Sequence, residues 1–379
     1  MWIVVVVAFA LRLLALAAVW GRTSIGDPAT NLELARNMLA GQGYGFIDPT
    51  YGNMAQKALF PPLYPALLAA IGFFVPLAQP TIFAAQFGVD LATAWVIARL
   101  ASRMRLKPLM PAAIYLLWPS NVLFAAIPQK EGLASLLAVL AAWFAVRKSP
   151  ARLGIVAGLL ALAQPALATL PVIFAILLRV PVLVAGVAAG LVLLPWWLRN
   201  YLIFGTFVPL TTASGYSFWV GTFSPDGWWI PPPPRIQVTD ELRFSHAAAG
   251  DAWAWITAHP LEYAKHTLNK LARGLVNGWW PVDRITRMAP PMPWFSSLAL
   301  STIALTSTLT TLGICGAIIA RSTVGKLLLA CALQIILFEV WFEFSERHTY
   351  FAIPFLSLGI AAGVQKITAD LKGKGCLEA

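Results

Sequence analysis

Long apolar runs separated by short polar segments dominate the hydrophobic pattern of this chain. Most runs are roughly 17–25 residues long, which is the length that an α-helix needs to cross a bilayer. The pattern predicts an all-α polytopic membrane protein with about ten transmembrane helices. The predicted spans are residues 2–20, 81–100, 109–127, 131–146, 153–163, 166–178, 181–197, 297–320, 327–345 and 349–365.

Two further helical segments lie between the first and second predicted spans. Asp27 and Pro28 open an amphipathic helical pattern that Gly41 ends, which predicts a short helix lying at the membrane interface. The next apolar segment, Pro61–Leu77, fits either a span or a second interfacial helix. Hydrophobicity alone does not decide between these two placements.

The basic residues decide the placement of Pro61–Leu77 through the positive-inside rule. If this segment is interfacial, all basic clusters beside the spans fall on the cytoplasmic side. If it spans, all of them fall outside, so we favour the interfacial placement. Both termini are then cytoplasmic in an inner (plasma) membrane, and residues 21–80 and 198–296 lie outside. The clusters are Arg99, Arg103, Arg105 and Lys107; Arg147, Lys148 and Arg152; Arg179; Arg321 and Lys326; and Lys366, Lys372 and Lys374.

Composition argues against two other classes of protein. Hydrophobic residues make up 59% of the chain and charged residues 11%, whereas a soluble domain carries about 25% charged residues. So few charges could not cover the surface of a water-soluble globule of this length. The net charge of +11 would suggest nucleic-acid binding in a soluble protein. Here the basic residues flank the spans, so we predict no nucleic-acid partner.

Residues capable of chemistry gather at the predicted outer ends of the helices. A ring of carboxylates and cations at the mouth of a helical bundle suits a phosphate-bearing substrate. The cations bind the phosphate, and a carboxylate accepts a proton from an attacking nucleophile. The candidates are Asp27, Lys57, Lys130, Glu131, Arg199, Glu343, Glu346, Arg347 and His348.

Several candidates also have a purely structural interpretation. Asp27 precedes a proline, which is the pattern of a helix N-cap, and Glu131 fits the start of the fourth span in the same way. Arg199 and Arg347 fit interfacial anchors, and Lys130 fits a side chain that snorkels to the interface. An N-cap and a catalytic base are compatible roles for Asp27.

Three other polar or aromatic residues are predicted to be structural. Arg12 and Asp90 lie well inside apolar runs, where an unpaired charge is expensive, so we predict that they pair in the bundle interior. Trp280, with its tryptophan neighbours, is predicted to belong to the aromatic belt at the membrane interface.

Five segments, in order along nearly the whole chain, carry a family resemblance: GDPATNLELARNMLAGQGYGF, KALFPPLYPALLA, PQKEGLASLLAVLAAW, PWWLRNYLIFGTFVPLTTASGYSFWVG and SERHTYFAIPFL. In these segments the chain resembles the GT-C superfamily of polyprenyl-phosphate-dependent glycosyltransferases. The likeness is greatest to the bacterial branch related to protein O-mannosyltransferases and the lipid A aminoarabinose transferase. The resemblance implies a GT-C-like helical bundle with amphipathic juxtamembrane helices in the first outer loop.

The resemblance also implies an activity. A membrane glycosyltransferase of this kind moves a sugar, with inversion, from a polyprenyl-phosphate donor to a hydroxyl or amine of a lipid, glycan or protein acceptor. Transfer takes place on the extracytoplasmic side. Asp27 would deprotonate the acceptor and Glu131 would assist. The implied phosphate ligands are Lys57, Arg199 and Arg347.

The sequence departs from the family pattern in places. Pro28 stands where a second acidic residue is usual, and Asn31 and His348 stand where tyrosine is common. These departures leave the acceptor and any metal open. No cofactor is certain, and Glu131 is a candidate ligand for a divalent cation. Further site candidates are Lys130, Glu346 and His348.

Two alternatives to an enzyme stay open. One is a transporter or flippase of lipid-linked sugars without catalysis, and the other is a catalytically inactive accessory subunit of the same fold. Transporters often show two related halves, whereas this chain shows no internal repeat and gathers its polar residues on one face. We therefore favour an enzyme. The predicted units are a catalytic transmembrane module (1–200, including the outer loop 21–80), a large outer loop (201–296), and carboxy-terminal transmembrane helices with a cytoplasmic tail (297–379).

Overall fold

Helices make up most of the computed structural model of the protein, which describes residues 1–48, 53–233, 236, 240–274, 279–289, 293, 295–320 and 323–375. The first helices are α1 (Trp2–Ala18), α2 (Asp27–Leu39), α3 (Leu63–Phe74), α4 (Gln79–Arg103), α5 (Leu109–Leu116), α6 (Pro119–Phe124), α7 (Glu131–Val146), α8 (Pro150–Ala163) and α9 (Leu170–Leu177). The remaining helices are α10 (Val182–Phe204), α11 (Ser214–Phe223), α12 (Glu241–Ala258), α13 (Pro260–Gly274), α14 (Trp279–Met288), α15 (Phe295–Ala320), α16 (Thr323–Gln334) and α17 (Ile353–Gly375).

Four helical segments of the described chain are long and apolar enough to cross a membrane: Gln79–Arg103, Val182–Phe204, Ser296–Ala320 and Glu346–Lys372. Several other apolar helices are shorter, among them α1, α3, α7 and α8. The structure therefore agrees with an all-α membrane protein, but it does not confirm ten spans. Large apolar side chains stay exposed on α10, including Leu183 and Leu202, as expected of a face that contacts lipid.

The segment between the first two long helices forms a helical pair and a small hairpin. The predicted helix after Asp27 is confirmed as α2, and it packs against α3. Helix α3 has 12 residues and is therefore about 18 Å long. A bilayer core is about 30 Å thick, so the length of α3 supports its interfacial placement. Strands β1 (Phe46–Asp48) and β2 (Met54–Gln56) pair antiparallel, which the sequence did not predict.

The predicted span 109–127 is not a single helix, because the chain breaks between α5 and α6. Pro119 has no N–H to donate, and the residue before it is extended rather than helical. The carbonyl of Tyr115 accepts instead from the side-chain amide of Asn121 at 2.7 Å. The carbonyl of Leu116 accepts from the Arg12 guanidinium at 2.8 Å. The gap between the predicted spans 153–163 and 166–178 is confirmed at Gln164-Pro165, and the chain also breaks at His259-Pro260.

Two predicted helix ends are wrong. Helix α10 does not stop at residue 197 but continues to Phe204, where Gly205 adopts a left-handed φ of 66°. The predicted span 327–345 ends early, because α16 passes into a single π-helical turn, Ile335–Glu339, and leaves the helix there. The N–H of Glu343 then donates to the carbonyl of Ser217 in α11 at 2.7 Å.

The two long carboxy-terminal helices, α15 and α17, pack closely through glycines. A side chain at Gly316 would collide with the carbonyl oxygen of Gly359, and one at Gly359 would collide with that of Gly313. Small residues allow membrane helices to approach at this distance. This contact fixes α17 and, with it, the 3₁₀ turn Glu346–Ala352 that precedes α17.

Membrane orientation stays a prediction, and cysteine labelling tests it. In a background without native cysteines, we introduce Arg103→Cys and Trp229→Cys, both at exposed positions. The positive-inside rule places residue 103 inside, so an impermeant thiol reagent applied to intact cells should label only residue 229. Permeabilised cells, in which both sites should react, are the control. Labelling of residue 103 in intact cells would show that the protein has the opposite orientation in the membrane.

Candidate active site

Asp27 lies in the first turn of α2, and its side chain does not cap the helix. Gly26 occupies the N-cap position with a φ of 64°, and its carbonyl accepts from the N–H of Thr30 at 3.1 Å. No side chain caps this helix, so the predicted capping role of Asp27 is wrong. A glycine tolerates the left-handed backbone at this position. The Asp27 carboxylate is therefore available for another partner.

That partner is Arg347, on the 3₁₀ turn before α17. Its Nη1 lies 2.6 Å from Oδ2 of Asp27, and its Nη2 lies 3.0 Å from Oε1 of Glu343. All three side chains are largely shielded, with exposed fractions of 30% for Asp27, 13% for Arg347 and 16% for Glu343. Charge-assisted hydrogen bonds of this kind are strong and directional. One guanidinium thus joins two carboxylates.

Lys130 and Glu131 lie at the start of α7, near this ion pair. Lys130 is the N-cap residue of α7 and no side chain caps the helix, so the predicted capping role of Glu131 is wrong. The Lys130 ammonium lies 5.9 Å from the centre of the Phe60 ring. Burial lowers the pKa of Lys130, and the negative charges of Glu131 and Asp27 oppose this shift.

Arg284 on α14 is a member of the site that sequence reasoning missed. Its guanidinium lies 5.0 Å from the ring centre of Trp280, and the guanidinium of Arg347 lies 5.3 Å from the same ring. Trp280 is only 2% exposed and stacks on Phe124, so its predicted place in the interfacial belt is wrong. The i, i+4 spacing of Trp280 and Arg284 on a helix was the available signal.

Six charged residues together form what we call the Asp27 cluster: Asp27, Lys130, Glu131, Arg284, Glu343 and Arg347. Burial alone would raise the pKa of Asp27, but the positive charges of Arg347, Lys130 and Arg284 outweigh it and lower the pKa to about 2. Asp27 is therefore ionised at neutral pH. Burial lowers the pKa of Arg284, with the charge of Asp27 opposing.

The donor set of the Asp27 cluster does not fit a divalent cation. A metal site needs several carboxylate, imidazole or thiolate ligands that face one point. Within the described residues no group of three or more histidine, cysteine, aspartate or glutamate side chains has that arrangement. Lys130, Arg284 and Arg347 already surround Asp27 with positive charge, and they would repel a metal ion.

Arg199 and Lys57 lie in a different environment from Arg347. The Arg199 guanidinium donates to the Asn200 side chain and to the carbonyl of Tyr44, both at 2.9 Å, and stacks on the ring of Trp196. The backbone N–H of Lys57 donates to Glu241 at 2.7 Å, while its side chain is exposed. Among the described contacts, none joins either residue to the Asp27 cluster, so a shared phosphate site for all three cations stays a prediction.

Glu346 and His348 flank Arg347 on the 3₁₀ turn. Glu346 is buried, and its Oε1 has no hydrogen-bond partner among the described residues. Nδ1 of His348 accepts from the N–H of Ser345 at 3.0 Å and completes a capping box. One ring nitrogen of His348 is therefore committed to the turn that presents Arg347.

Comparisons with known proteins agree with this architecture at the level of fold. No protein-family model matches the sequence, and no curated protein is similar enough in sequence to be a relative. The archaeal oligosaccharyltransferase AglB from Archaeoglobus fulgidus, in complex with an inhibitory peptide and a dolichol-phosphate, is similar with a TM-score of 0.55 and 13% identity, over 98% of this chain and 51% of AglB. The chain has the GT-C fold.

A second oligosaccharyltransferase structure shares this likeness. The Archaeoglobus fulgidus oligosaccharyltransferase in complex with zinc and sulfate gives a TM-score of 0.51 at 14% identity, over 97% of this chain and 49% of that protein. The chain thus spans about half the length of these oligosaccharyltransferases. ArnT from Cupriavidus metallidurans bound to undecaprenyl phosphate gives 0.43 at 14% identity, over 95% of this chain and 77% of ArnT.

Proposed function

We propose that this chain is a membrane glycosyltransferase that takes a sugar from a polyprenyl-phosphate donor. The observation that carries the proposal is the Asp27 cluster, in which an ionised carboxylate stands among three cations on a GT-C fold. The cations suit a lipid-linked phosphate, and the carboxylate suits a general base. The acceptor is a hydroxyl or amine of a lipid, glycan or protein.

The reaction uses these groups as follows. The acceptor oxygen or nitrogen forms a bond to the anomeric carbon of the sugar, and Asp27 takes the acceptor proton. The bond between the anomeric carbon and the phosphate oxygen breaks, and the phosphate leaves with the electron pair. Attack from the face opposite the phosphate inverts the configuration. Arg284 and Arg347 stabilise the charge that develops on the leaving oxygen.

Donor binding also makes Asp27 a better base. A carboxylate with a pKa of about 2 attracts a proton weakly, whereas general bases work best with a pKa near the working pH. A bound phosphate would neutralise the positive charges that hold the pKa down, and Arg347 would divide its hydrogen bonds between phosphate and carboxylate. The pKa of Asp27 then rises when the donor is in place.

Lipid-phosphate binding tests the role of Arg284. Its Nε is buried and has no partner among the described residues, so it can bind an anion without breaking a bond within the protein. Hydrogen bonds to charged groups contribute about 1.5–3 kcal/mol. Arg284→Gln should therefore weaken the binding of undecaprenyl phosphate to the protein in nanodiscs by roughly tenfold to a hundredfold. Binding can be measured by native mass spectrometry.

Arg287→Gln is the matched control. Arg287 lies on the same helix, its side chain is 61% exposed, and it pairs with Asp283 rather than with the Asp27 cluster. Arg287→Gln should leave the binding of undecaprenyl phosphate unchanged. Equal effects of both substitutions would mean that only general surface charge matters.

The proposed activity itself is tested by wild-type transfer of radiolabelled sugar from undecaprenyl-phosphate donors to envelope lipids, glycans and proteins. Binding without transfer to any acceptor would favour the transporter or flippase instead.

A further inference from the structure

Four buried polar side chains in or beside the Asp27 cluster each have one atom without a hydrogen-bond partner among the described residues. Their exposed fractions lie between 0% and 7%. Buried polar atoms in native proteins are nearly always paired, because an unpaired one loses its hydration without compensation. Four such atoms in one region therefore indicate a ligand with several polar groups. The atoms are Oδ1 of Asn31, Oδ1 of Asn121, Nε2 of Gln129 and Oε2 of Glu131.

These side chains connect to the proposed base. Asn31 lies one helical turn after Asp27 on α2, and Glu131 follows Gln129 by two residues. Nδ2 of Asn31 lies 3.5 Å from Oε1 of Gln129, a long and weak hydrogen bond. Glu131 belongs to the Asp27 cluster itself, where its charge opposes the lowering of the pKa of Lys130.

A small cavity lies beside two of these four side chains. Asn121 and Gln129 line it, together with Gln86, Tyr64 and Tyr350. Its volume is about 30 Å³, which is room for about two water-sized groups. Two hydroxyl groups at the edge of a sugar ring are of that size.

Gln86 holds the backbone of the loop that carries Gln129, and so fixes the position from which the Gln129 side chain extends. Oε1 of Gln86 accepts from the backbone N–H of Gln129 at 3.0 Å. Nε2 of Gln86 donates to the carbonyls of Ala125 and Ile127 at 3.0 and 2.8 Å. A loop whose backbone is ordered before the ligand arrives loses little entropy on binding.

We propose that Asn31, Asn121, Gln129 and Glu131 form a subsite for hydroxyl groups of the sugar on the lipid-linked donor. The inference rests on the proposed function and adds to it the recognition of a hydroxyl-bearing sugar, separate from that of the phosphate. A sugar hydroxyl both donates and accepts, which matches a subsite with one free amide nitrogen and three free oxygens. Three uncharged amides distinguish this subsite from the cationic phosphate site, and Glu131 is shared with the Asp27 cluster.

The double variant Asn31→Leu/Gln129→Met tests the subsite, because it keeps side-chain volume and removes both amides. The probes are undecaprenyl phosphate and undecaprenyl phosphate carrying glucose, galactose or mannose, measured in nanodiscs. The wild type should bind at least one sugar-bearing lipid more tightly than the bare lipid. The variant should lose that preference by about tenfold, the equivalent of roughly 1.4 kcal/mol, and bind the bare lipid as before. Without ligand its melting temperature should be unchanged or higher, because unpaired polar atoms have been removed.

Gln334→Met is the matched control. This buried amide on α16 is paired at both ends, accepting from Thr169 and donating to the carbonyl of Ala166, each at 2.7 Å. It should lower the melting temperature and leave the sugar preference intact. If the double variant does not fold, the single variants Asn31→Leu and Gln129→Met are tested in the same binding comparison.

Two results would overturn the subsite and can be told apart. If the wild type transfers sugar and the double variant keeps the sugar preference with a lower melting temperature, the amides hold structural water and the proposed function still stands. If the wild type neither transfers sugar nor binds any of the lipids, the proposed function fails, and the subsite fails with it.

Discussion

Asp27→Asn is expected to lower the rate of sugar transfer by roughly 10²–10⁴-fold, the usual contribution of a general base. The amide keeps the size of the carboxylate and can still accept a hydrogen bond from Arg347, but it cannot take the acceptor proton. Gly26 occupies the N-cap position, so the substitution leaves the start of α2 unchanged. The measurement is single-turnover transfer from the sugar-bearing undecaprenyl phosphate that the wild type uses.

Asp283→Asn is the control for the loss of a carboxylate paired with arginine. Asp283 pairs with Arg287 within α14, and its replacement should leave the rate of transfer near that of the wild type. Undecaprenyl phosphate should bind Asp27→Asn at least as tightly as the wild type, because Arg347 loses a competing anion. A near wild-type rate for Asp27→Asn would exclude Asp27 as the base. Glu131 and then Glu346 would be the next carboxylates to test.

Arg12→Leu is expected to cause the largest loss of stability, about 3–5 kcal/mol, since it leaves a buried carboxylate without its counter-ion. Nε and Nη2 of Arg12 both donate to Oδ2 of Asp90, at 3.0 and 2.9 Å, and Arg12 is completely buried. The pairing predicted for these two residues is thus confirmed. Thermal unfolding of the purified protein in detergent measures the loss.

The double variant Arg12→Leu/Asp90→Leu should be milder than Arg12→Leu alone, because no uncompensated charge remains. It still removes a partner from the Tyr115 hydroxyl, which donates to Asp90 at 3.2 Å, and from the Leu116 carbonyl. Arg99→Leu, at an exposed position on α4, is the matched control and should change little. An unchanged melting temperature for Arg12→Leu would contradict a stabilising role for the pair.

Local signals predicted part of the fold well. The gap between the spans 153–163 and 166–178 was predicted correctly, because a polar residue and a proline interrupt the apolar pattern at Gln164-Pro165. The break at Pro119 was missed because the apolar pattern continues across it. The early end of the span 327–345 depends on a hydrogen bond from Glu343 to Ser217 in α11, and no local pattern encodes that contact.

The site was predicted less completely than the fold. Arg12 and Asp90 could be paired from sequence because each lies alone in an apolar run and needs a counter-ion. Asp27 and Arg347 were both named as candidates, but the sequence could not join them. The N-cap pattern at Asp27 offered a competing local explanation. Arg284 was missed because α14 is short and lies in a polar loop between long apolar segments.

The separation of Asp27 and Arg347 along the chain, 320 residues, has a consequence for biosynthesis. At about 5–20 residues per second, Asp27 is made roughly 16–64 s before Arg347. For much of that interval Lys130 is already present as a counter-charge for the Asp27 carboxylate. Arg347, the closest counter-charge, is not yet present. Only when the last long helix is inserted does the pair form. A chain that terminates before residue 347 therefore holds a first outer loop without its ion pair.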